Sequence, residues 1–198
     1  MPDIIDRKFR DWTEGKSPQA ARIAVFEKIR DIPYAIIPRL ISADNYTEIL
    51  SIGKGSCTPK HLLLASMYEK LGITVVLAVY PFKWANVEIE FPPSLRARVD
   101  TLPDDHHLAC KAEIEGKLVL VDATVDLPLE KLGLPVNIEW DGISDMVLPV
   151  EPTGKEQLYH PSEAQYISNV SIDDAHLLFF NELNLWLGKF RDSFSEIE

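Results

Sequence analysis

Cys57 is the residue of this chain whose type and setting point most directly to chemistry. It follows Gly53 and Gly55 and precedes Pro59, which a helix tolerates only in its first turn, so the sequence predicts a helix starting at residues 56–58. Unpaired backbone N–H groups and the helix dipole favour a thiolate at such a position. The two glycines are expected to let the backbone approach a ligand closely. Cys57 is therefore a candidate nucleophile, and a small buried thiol without function is the competing interpretation.

A predicted hairpin supplies a candidate histidine–carboxylate pair. If residues 115–116 form a two-residue turn, Ile114 pairs with Lys117. His107 and Asp122 then become diagonal neighbours on one face of the hairpin, within side-chain reach. A carboxylate in that place can fix the tautomer of an imidazole and support its positive charge. The interpretation depends on parity, because a loop of odd length would turn Asp122 to the other face.

Two alternatives to this pair remain. Asp126 has the same parity as Asp122 and is also diagonal to His107. We prefer Asp122 because it ends the apolar run 118–121, where a buried carboxylate needs a partner. His106 is the alternative base, but strand alternation turns it away from Asp122.

Cys110 differs from Cys57 in its setting. It lies three residues after His107 on the same predicted strand, so it points to the opposite, apolar face and is expected to fill the core. With only these two cysteines, a disulfide scaffold and a thiolate zinc cluster are excluded. We expect two free thiols.

Composition limits the remaining classes of function. The chain has 198 residues, of which 46% are hydrophobic and 26% charged, with a formal net charge of −11. This is typical of one packed domain, and the acidic excess disfavours nucleic acid and membrane partners. The N-terminal residues mix charges and the longest apolar run, 73–80, is too short for a membrane span, so we expect a cytoplasmic protein. The run 104–107 (Asp-Asp-His-His) is not expected to bind metal, because adjacent histidines on a strand face opposite ways.

The elements that must position these residues follow an α+β order. Helices are predicted over 19–31, over 44–51 or 45–51, from about 57 to 71, and over 172–190. The predicted N-cap residues are Ser17 for the first helix, Asp44 for the second and Ser171 for the last. Strands are predicted over 73–80, 107–114 and 117–124, and short ones over 136–140 and 146–150. Residues 81–105 read as an irregular functional loop and 152–169 as an extended connector. We expect a single domain over 1–198, with a core at about 18–150 and a C-terminal helical extension at about 152–198.

Several side chains near this arrangement have open roles. His61 lies on the same helix face as Cys57, where it could act near the thiolate, and the preferred interpretation is a surface residue or a support behind the thiolate. Trp84 is interpreted as lining a substrate groove or as packing at the surface. A donor for an oxyanion is expected in addition to the Cys57 N–H, and the sequence does not rank the candidates Asn45, Tyr46 and Lys54.

The order and spacing of these residues resemble the transglutaminase-like superfamily of papain-type cysteine enzymes. The likeness spans roughly residues 23–126. It rests on Gly55-Ser56-Cys57 with a helix ending in Leu71-Gly72-Ile73, on the His107 strand with its glycine turn and Asp122-Ala123-Thr124, and on Ile32-Pro33-Tyr34 upstream.

This resemblance implies a transglutaminase-like α+β fold, in which a central helix packs on an antiparallel sheet. It also implies roles for three residues: Cys57 as nucleophile, His107 as general base and Asp122 as its orienting partner. The expected activity is acyl transfer at amide bonds of a peptide or other amide-containing substrate, most simply hydrolysis, and no cofactor is expected. The alternative is a catalytically inactive binding or scaffold domain of the same fold. The sequence does not indicate an oligomeric state.

Overall fold

The computed structural model describes residues 4–168 and 172–195. In this part of the chain the α-helices are α1 (Ile4–Thr13), α2 (Pro18–Arg30), α3 (Ile49–Ile52), α4 (Cys57–Lys70), α5 (Pro93–Val99), α6 (Ala164–Ser168) and α7 (Asp174–Ser195). The strands are β1 (Val75–Phe82), β2 (Asp105–Ile114), β3 (Lys117–Val121) and β4 (Gln157–Tyr159). Within this range, no helix combines the length and apolar character needed to cross a membrane.

The strands form a four-stranded antiparallel sheet in the order β3-β2-β1-β4. Helix α4 packs against β1 and β2, and α2 packs against α4. The expected α+β class, with helices on an antiparallel sheet, is confirmed.

Helix α4 begins where the sequence predicts it. Ser56 is its N-cap residue in extended conformation, Cys57 is its first residue, and Pro59 lies in the first turn. Apolar side chains cover the helix almost all round, and most of them are buried against the sheet and α2. The chain leaves the helix at Gly72, which has a φ of 74°. A buried helix of this kind holds its first residue at a fixed place relative to the sheet.

The hairpin between β2 and β3 has the predicted register. Ile114 pairs with Lys117 and Cys110 with Val121. Both turn residues have positive φ, 53° at Glu115 and 77° at Gly116, which is the backbone of a type I′ turn. The even parity on which the pairing of His107 with Asp122 depends is confirmed.

Several predicted elements differ from the structure. The segment 81–105 is not an irregular loop, because it contains α5, and the predicted strands over 136–140 and 146–150 are wrong, because both segments are irregular. The segment 152–169 is not only a connector, since it contains β4, which pairs with β1, and α6. Short apolar runs and proline-rich stretches carry too little periodicity to separate these cases.

The predictions for the helices also need correction at two places. Helix α1 was not predicted, although its apolar residues Ile5, Phe9 and Trp12 have the i, i+4, i+7 spacing of an amphipathic helix. The helix predicted over 44–51 is a 3-10 turn over Tyr46–Glu48 followed by α3, and Asp44 does not cap it. Ser17 does cap α2, by accepting a hydrogen bond from the Ala20 N–H, whereas Ser171 lies outside the described residues.

Helix α7 packs against the body of the molecule instead of projecting from it. Phe179, Phe180, Leu183 and Leu187 are buried in a second hydrophobic cluster together with Trp84. The Asn184 amide donates to the Ile36 carbonyl at 2.7 Å and accepts from the Ile36 N–H at 2.8 Å. The aromatic face of α7 therefore forms core.

Candidate active site

Cys57 lies at the N-terminus of α4 and lines a cavity of about 360 Å³. The thiol is partly exposed, and Cys57 forms no disulfide with Cys110. The first N–H groups of an α-helix have no partner within the helix, so donors surround the thiol at this end. His107, from β2, lines the same cavity.

His107 and Asp122 form a buried hydrogen-bonded pair. The His107 Nε2–H donates to Asp122 Oδ2 at 2.6 Å, and the two residues are only 3% and 2% exposed. Burial alone lowers the pKa of His107, but the charge of Asp122, its hydrogen bond and the nearby Cys57 side chain raise it to about 10. Burial raises the pKa of Asp122, but the charge and hydrogen bond of His107 outweigh this and lower it to about 2. The pair is therefore an imidazolium–carboxylate pair at neutral pH.

Asp126 has a different partner. Its Oδ1 accepts from Arg191 at 2.7 Å and from the Tyr34 N–H at 2.7 Å, and its Oδ2 accepts from the Arg191 Nε–H at 3.0 Å. The alternative in which Asp126 orients His107 is wrong. Asp126 instead fastens α7 to the segment after α2.

His61 is a fully buried residue that hydrogen-bonds to the backbone of Cys57 and to the backbone of Ala123, the residue after Asp122. Its Nε2 lies 3.0 Å from the Ala123 N–H, which donates to it, so its proton resides on Nδ1, which donates to the Cys57 carbonyl at 2.9 Å. The interpretation of His61 as a surface residue is wrong, and the support role is confirmed. Burial lowers the pKa of His61 to about 4 despite the opposing charge of Asp122.

The burial of His61 predicts a pH-dependent loss of stability. The pKa of His61 is about 4 in the folded protein and about 6.5 in the unfolded chain. Between these pH values the unfolded chain binds more protons than the folded protein does. The free energy of unfolding therefore falls as the pH drops through this window. We expect a loss of about 3 kcal/mol from this group, measured by urea unfolding between about pH 7 and pH 4. A His61→Gln variant, which does not titrate, provides the comparison. Equal pH dependence in the two proteins would contradict this role.

Lys60 is a second buried residue whose position the sequence did not indicate. It is fully buried, and its Nζ donates to the carbonyls of Arg30 at 2.9 Å and Thr124 at 2.8 Å. Burial lowers its pKa to about 7, although Asp126 and Asp122 oppose the change. Lys60 therefore connects α4 to the strand end that carries Asp122.

The expected oxyanion donors are not brought to the thiol. None of Asn45, Tyr46 and Lys54 lines the cavity, and the Tyr46 hydroxyl is paired with Ser66 Oγ at 2.7 Å instead. Tyr34 does line it. Burial and the charges of Cys57, Asp105 and Asp122 raise the pKa of Tyr34, so its hydroxyl keeps its proton.

The glycines before Cys57 have structural roles, and that of Gly53 as the left-handed residue that ends the preceding helix was predicted from the sequence. Gly53, with a φ of 73°, ends α3 in the left-handed conformation. A Cβ on Gly55 would lie 2.5 Å from Ile49 Cδ1, and the Gly55 N–H donates to the Pro33 carbonyl at 3.0 Å. Gly55 is therefore required for close packing of α3 against the start of α4, and the proposed close approach to a ligand is not needed to explain it.

The neighbouring polar residues have separate roles. His106 is exposed, and Asp105 accepts from the Trp84 indole at 2.8 Å. Trp84 is 8% exposed and lines the cavity, as one of its two interpretations expected.

Among residues 4–168 and 172–195, no group of three or more His, Cys, Asp or Glu side chains could hold a metal ion.

Cys110 lies in the core that faces α4, together with Leu108, Ala112 and Ile114. Burial raises its pKa well above the ordinary range, so it stays a thiol at neutral pH. The sequence interpretation of Cys110 as core is confirmed.

Comparison of the chain with protein-family models, with curated proteins and with solved structures finds no match.

Proposed function

We propose that this chain is a cysteine-dependent acyl-transfer enzyme with a transglutaminase-like fold, which hydrolyses amide bonds. The observation that carries the proposal is the buried His107–Asp122 pair, which shares one cavity with Cys57. A nucleophilic thiol, an imidazole and a carboxylate that orients the imidazole are the three groups that cysteine-based acyl transfer needs. Cys57 is the nucleophile, His107 the general base and acid, and Asp122 the orienting partner.

The reaction is a double displacement at a carbonyl carbon. The Cys57 thiolate forms an S–C bond to the carbonyl carbon, the C–N bond breaks, and the leaving nitrogen takes a proton from His107. Water then attacks the thioester and gives its proton to His107. The C–S bond breaks, the acid is released and the thiolate is restored. No electrons are gained or lost, and no cofactor is needed.

The negative oxygen of the tetrahedral intermediate requires donors. The N–H groups at the start of α4 provide them, and we assign the Tyr34 hydroxyl as a further donor because Tyr34 lines the cavity and keeps its proton. Water as acceptor makes the enzyme a peptidase or amidase, whereas an amine would make it a transferase. We favour water because it needs no second binding site.

Iodoacetamide labelling of the two cysteines tests the proposal. At about pH 6 we expect Cys57 to react at least about tenfold faster in the unmodified protein than in a His107→Ala variant, because the proposed attack by the sulfur depends on the His107 imidazole. In a His107→Ala variant, rapid labelling of Cys57 near pH 6 should disappear. The site of labelling is read by peptide mass spectrometry.

Cys110 is the internal control for this measurement, because it is buried in the same molecule. Slow and equal reaction of both cysteines in the folded protein would refute the proposed nucleophile. It would favour the alternative of an inactive binding domain.

A further inference from the structure

The cavity beside Cys57 has an apolar interior. Its lining side chains come from β1, from the segment that follows it and from α7, and include Val79, Phe82, Val87, Phe180, Leu183 and Leu187. Its volume of about 360 Å³ lies in the range of small-molecule binding sites, about 300–1,000 Å³. A catalytic thiol needs room only for a carbonyl group, so the additional apolar volume indicates a larger ligand.

Among the residues that the structure describes, the lining includes a buried hydroxyl without a hydrogen-bond partner. Thr124 is 4% exposed, and its Oγ1 is buried without a hydrogen bond among the described residues. An unsatisfied buried hydroxyl costs about 1–3 kcal/mol, so such groups are rare unless a ligand or water pairs with them. Thr124 lines the same cavity as Cys57 and His107. Its Oγ1 is covered by surrounding atoms, so the hydroxyl does not face the open space of the cavity.

The charges of the lining disfavour one class of ligand. Asp104, Asp105 and Asp173 line the cavity, and within the described part of the chain no Lys or Arg does so. The Trp84 indole N–H donates a hydrogen bond to Asp105. Lys83 forms an ion pair with Asp104 at 3.5 Å. Apart from the His107 imidazolium, the charged groups assigned above to this lining are carboxylates, so an anionic group attached to the apolar part of a ligand is disfavoured.

We propose that the cavity binds the acyl part of the substrate, so that the substrate is an amide of an uncharged, apolar acid. This inference rests on the proposed function and specifies its substrate. The acyl group stays bonded to Cys57 until water arrives, whereas the amine must leave first. The apolar space beside Cys57 therefore suits the acyl group. The apolar group is either an aliphatic chain or the side chain of a peptide residue.

Alkyl chloromethyl ketones with methyl, pentyl and nonyl groups test the inference without a known substrate. Their alkyl group takes the place of the acyl chain, and the thiol displaces chloride to form an S–C bond. Each methylene that enters an apolar site contributes about 0.8 kcal/mol, so alkylation of Cys57 should accelerate about fourfold per buried methylene. Acetyl-phenylalanyl chloromethyl ketone tests in the same way whether the apolar group is the side chain of a peptide residue. Equal rates for all four reagents would overturn the inference.

Variants on α7 add a matched comparison. Leu183 lines the cavity, whereas Leu185 on the same helix is 66% exposed and does not. Leu183→Gln should remove most of the acceleration by the nonyl chain, and Leu185→Gln should keep it. Full acceleration in Leu183→Gln would argue against this cavity as the site.

The outcomes separate this inference from the proposed function. If the methyl reagent selects Cys57 over Cys110 but chain length has no effect, the nucleophile stands and the apolar acyl site fails. If no reagent selects Cys57, the proposed function fails, and binding of nonanamide then tests the cavity alone. That binding is read from tryptophan fluorescence, with Trp84→Phe as the variant that should lose the signal. The absence of a Trp84 signal with nonanamide would overturn the inference.

Discussion

Replacing Asp122 with Asn is expected to slow alkylation of Cys57 at neutral pH by about 10²-fold, the lower end of the range for a lost general base. The charge and hydrogen bond of Asp122 raise the pKa of His107 to about 10 against the effect of burial. Without that charge, burial dominates and the pKa falls below its ordinary value of about 6.5, so the ring is neutral and no longer supports a thiolate. The imidazole titration is followed by NMR and the alkylation by mass spectrometry.

The same variant should also change the dependence of stability on pH. The pKa of His107 is raised in the folded protein, so protonated His107 adds to the free energy of unfolding. This stabilisation is complete below about pH 6.5 and is lost as the pH rises to about 10. This loss should be absent from Asp122→Asn when unfolding is measured in urea.

Asp126→Asn is the matched control, because Asp126 lies four residues away and pairs with Arg191. It should lower stability but leave the pKa of His107 and the rate of Cys57 alkylation nearly unchanged. If Asp126→Asn impaired alkylation as much as Asp122→Asn does, the assignment of Asp122 as the orienting residue would be wrong.

Arg191→Ala is expected to lower the free energy of unfolding by about 3–5 kcal/mol, which is typical of leaving one buried charge without its partner. Asp126 is only 1% exposed, and Arg191 donates to both of its oxygens and to the Tyr34 carbonyl at 3.1 Å. The loss is measured by urea denaturation at about pH 7.

Two variants make this prediction specific. Arg191→Lys restores the charge but not the forked geometry, so an intermediate loss is expected. Lys70→Ala removes the exposed pair with Asp6, and only a small change is expected. Equal effects of Arg191→Ala and Lys70→Ala would show that the Asp126 pair does not stabilise the fold.

The contact between His107 and Asp122 could be predicted because it depends on local rules. A two-residue turn at 115–116 fixes the register of the hairpin, and strand alternation then determines which side chains share a face. The start of α4 was predictable for a similar reason, since Pro59 must lie in the first turn and so confines the start to residues 56–58. In both cases a few neighbouring residues determine the geometry.

The burial and the hydrogen-bond partners of His61, Lys60 and Asp126 could not be predicted, because each depends on contacts between distant segments. His61 pairs with a backbone N–H 62 positions away, and Lys60 with a carbonyl 64 positions away. Charged and polar residues in a helix usually lie on its exposed face. Residue type alone therefore favours exposed positions for Lys60 and His61, whereas both are buried in the structure. The preference for Asp122 over Asp126 was correct, although both carboxylates are buried and paired, so burial alone did not distinguish them.

The attachment of α7 has a consequence for the order in which the protein matures during synthesis. Cys57, His107 and Asp122 are translated well before the Asn184 and Arg191 side chains that hold α7 at Ile36 and Tyr34, 148 and 157 positions away. Contacts between such distant positions form late in folding. A growing chain thus displays its thiol before α7 closes one wall of the cavity, and the enclosed site is complete only after α7 has been translated.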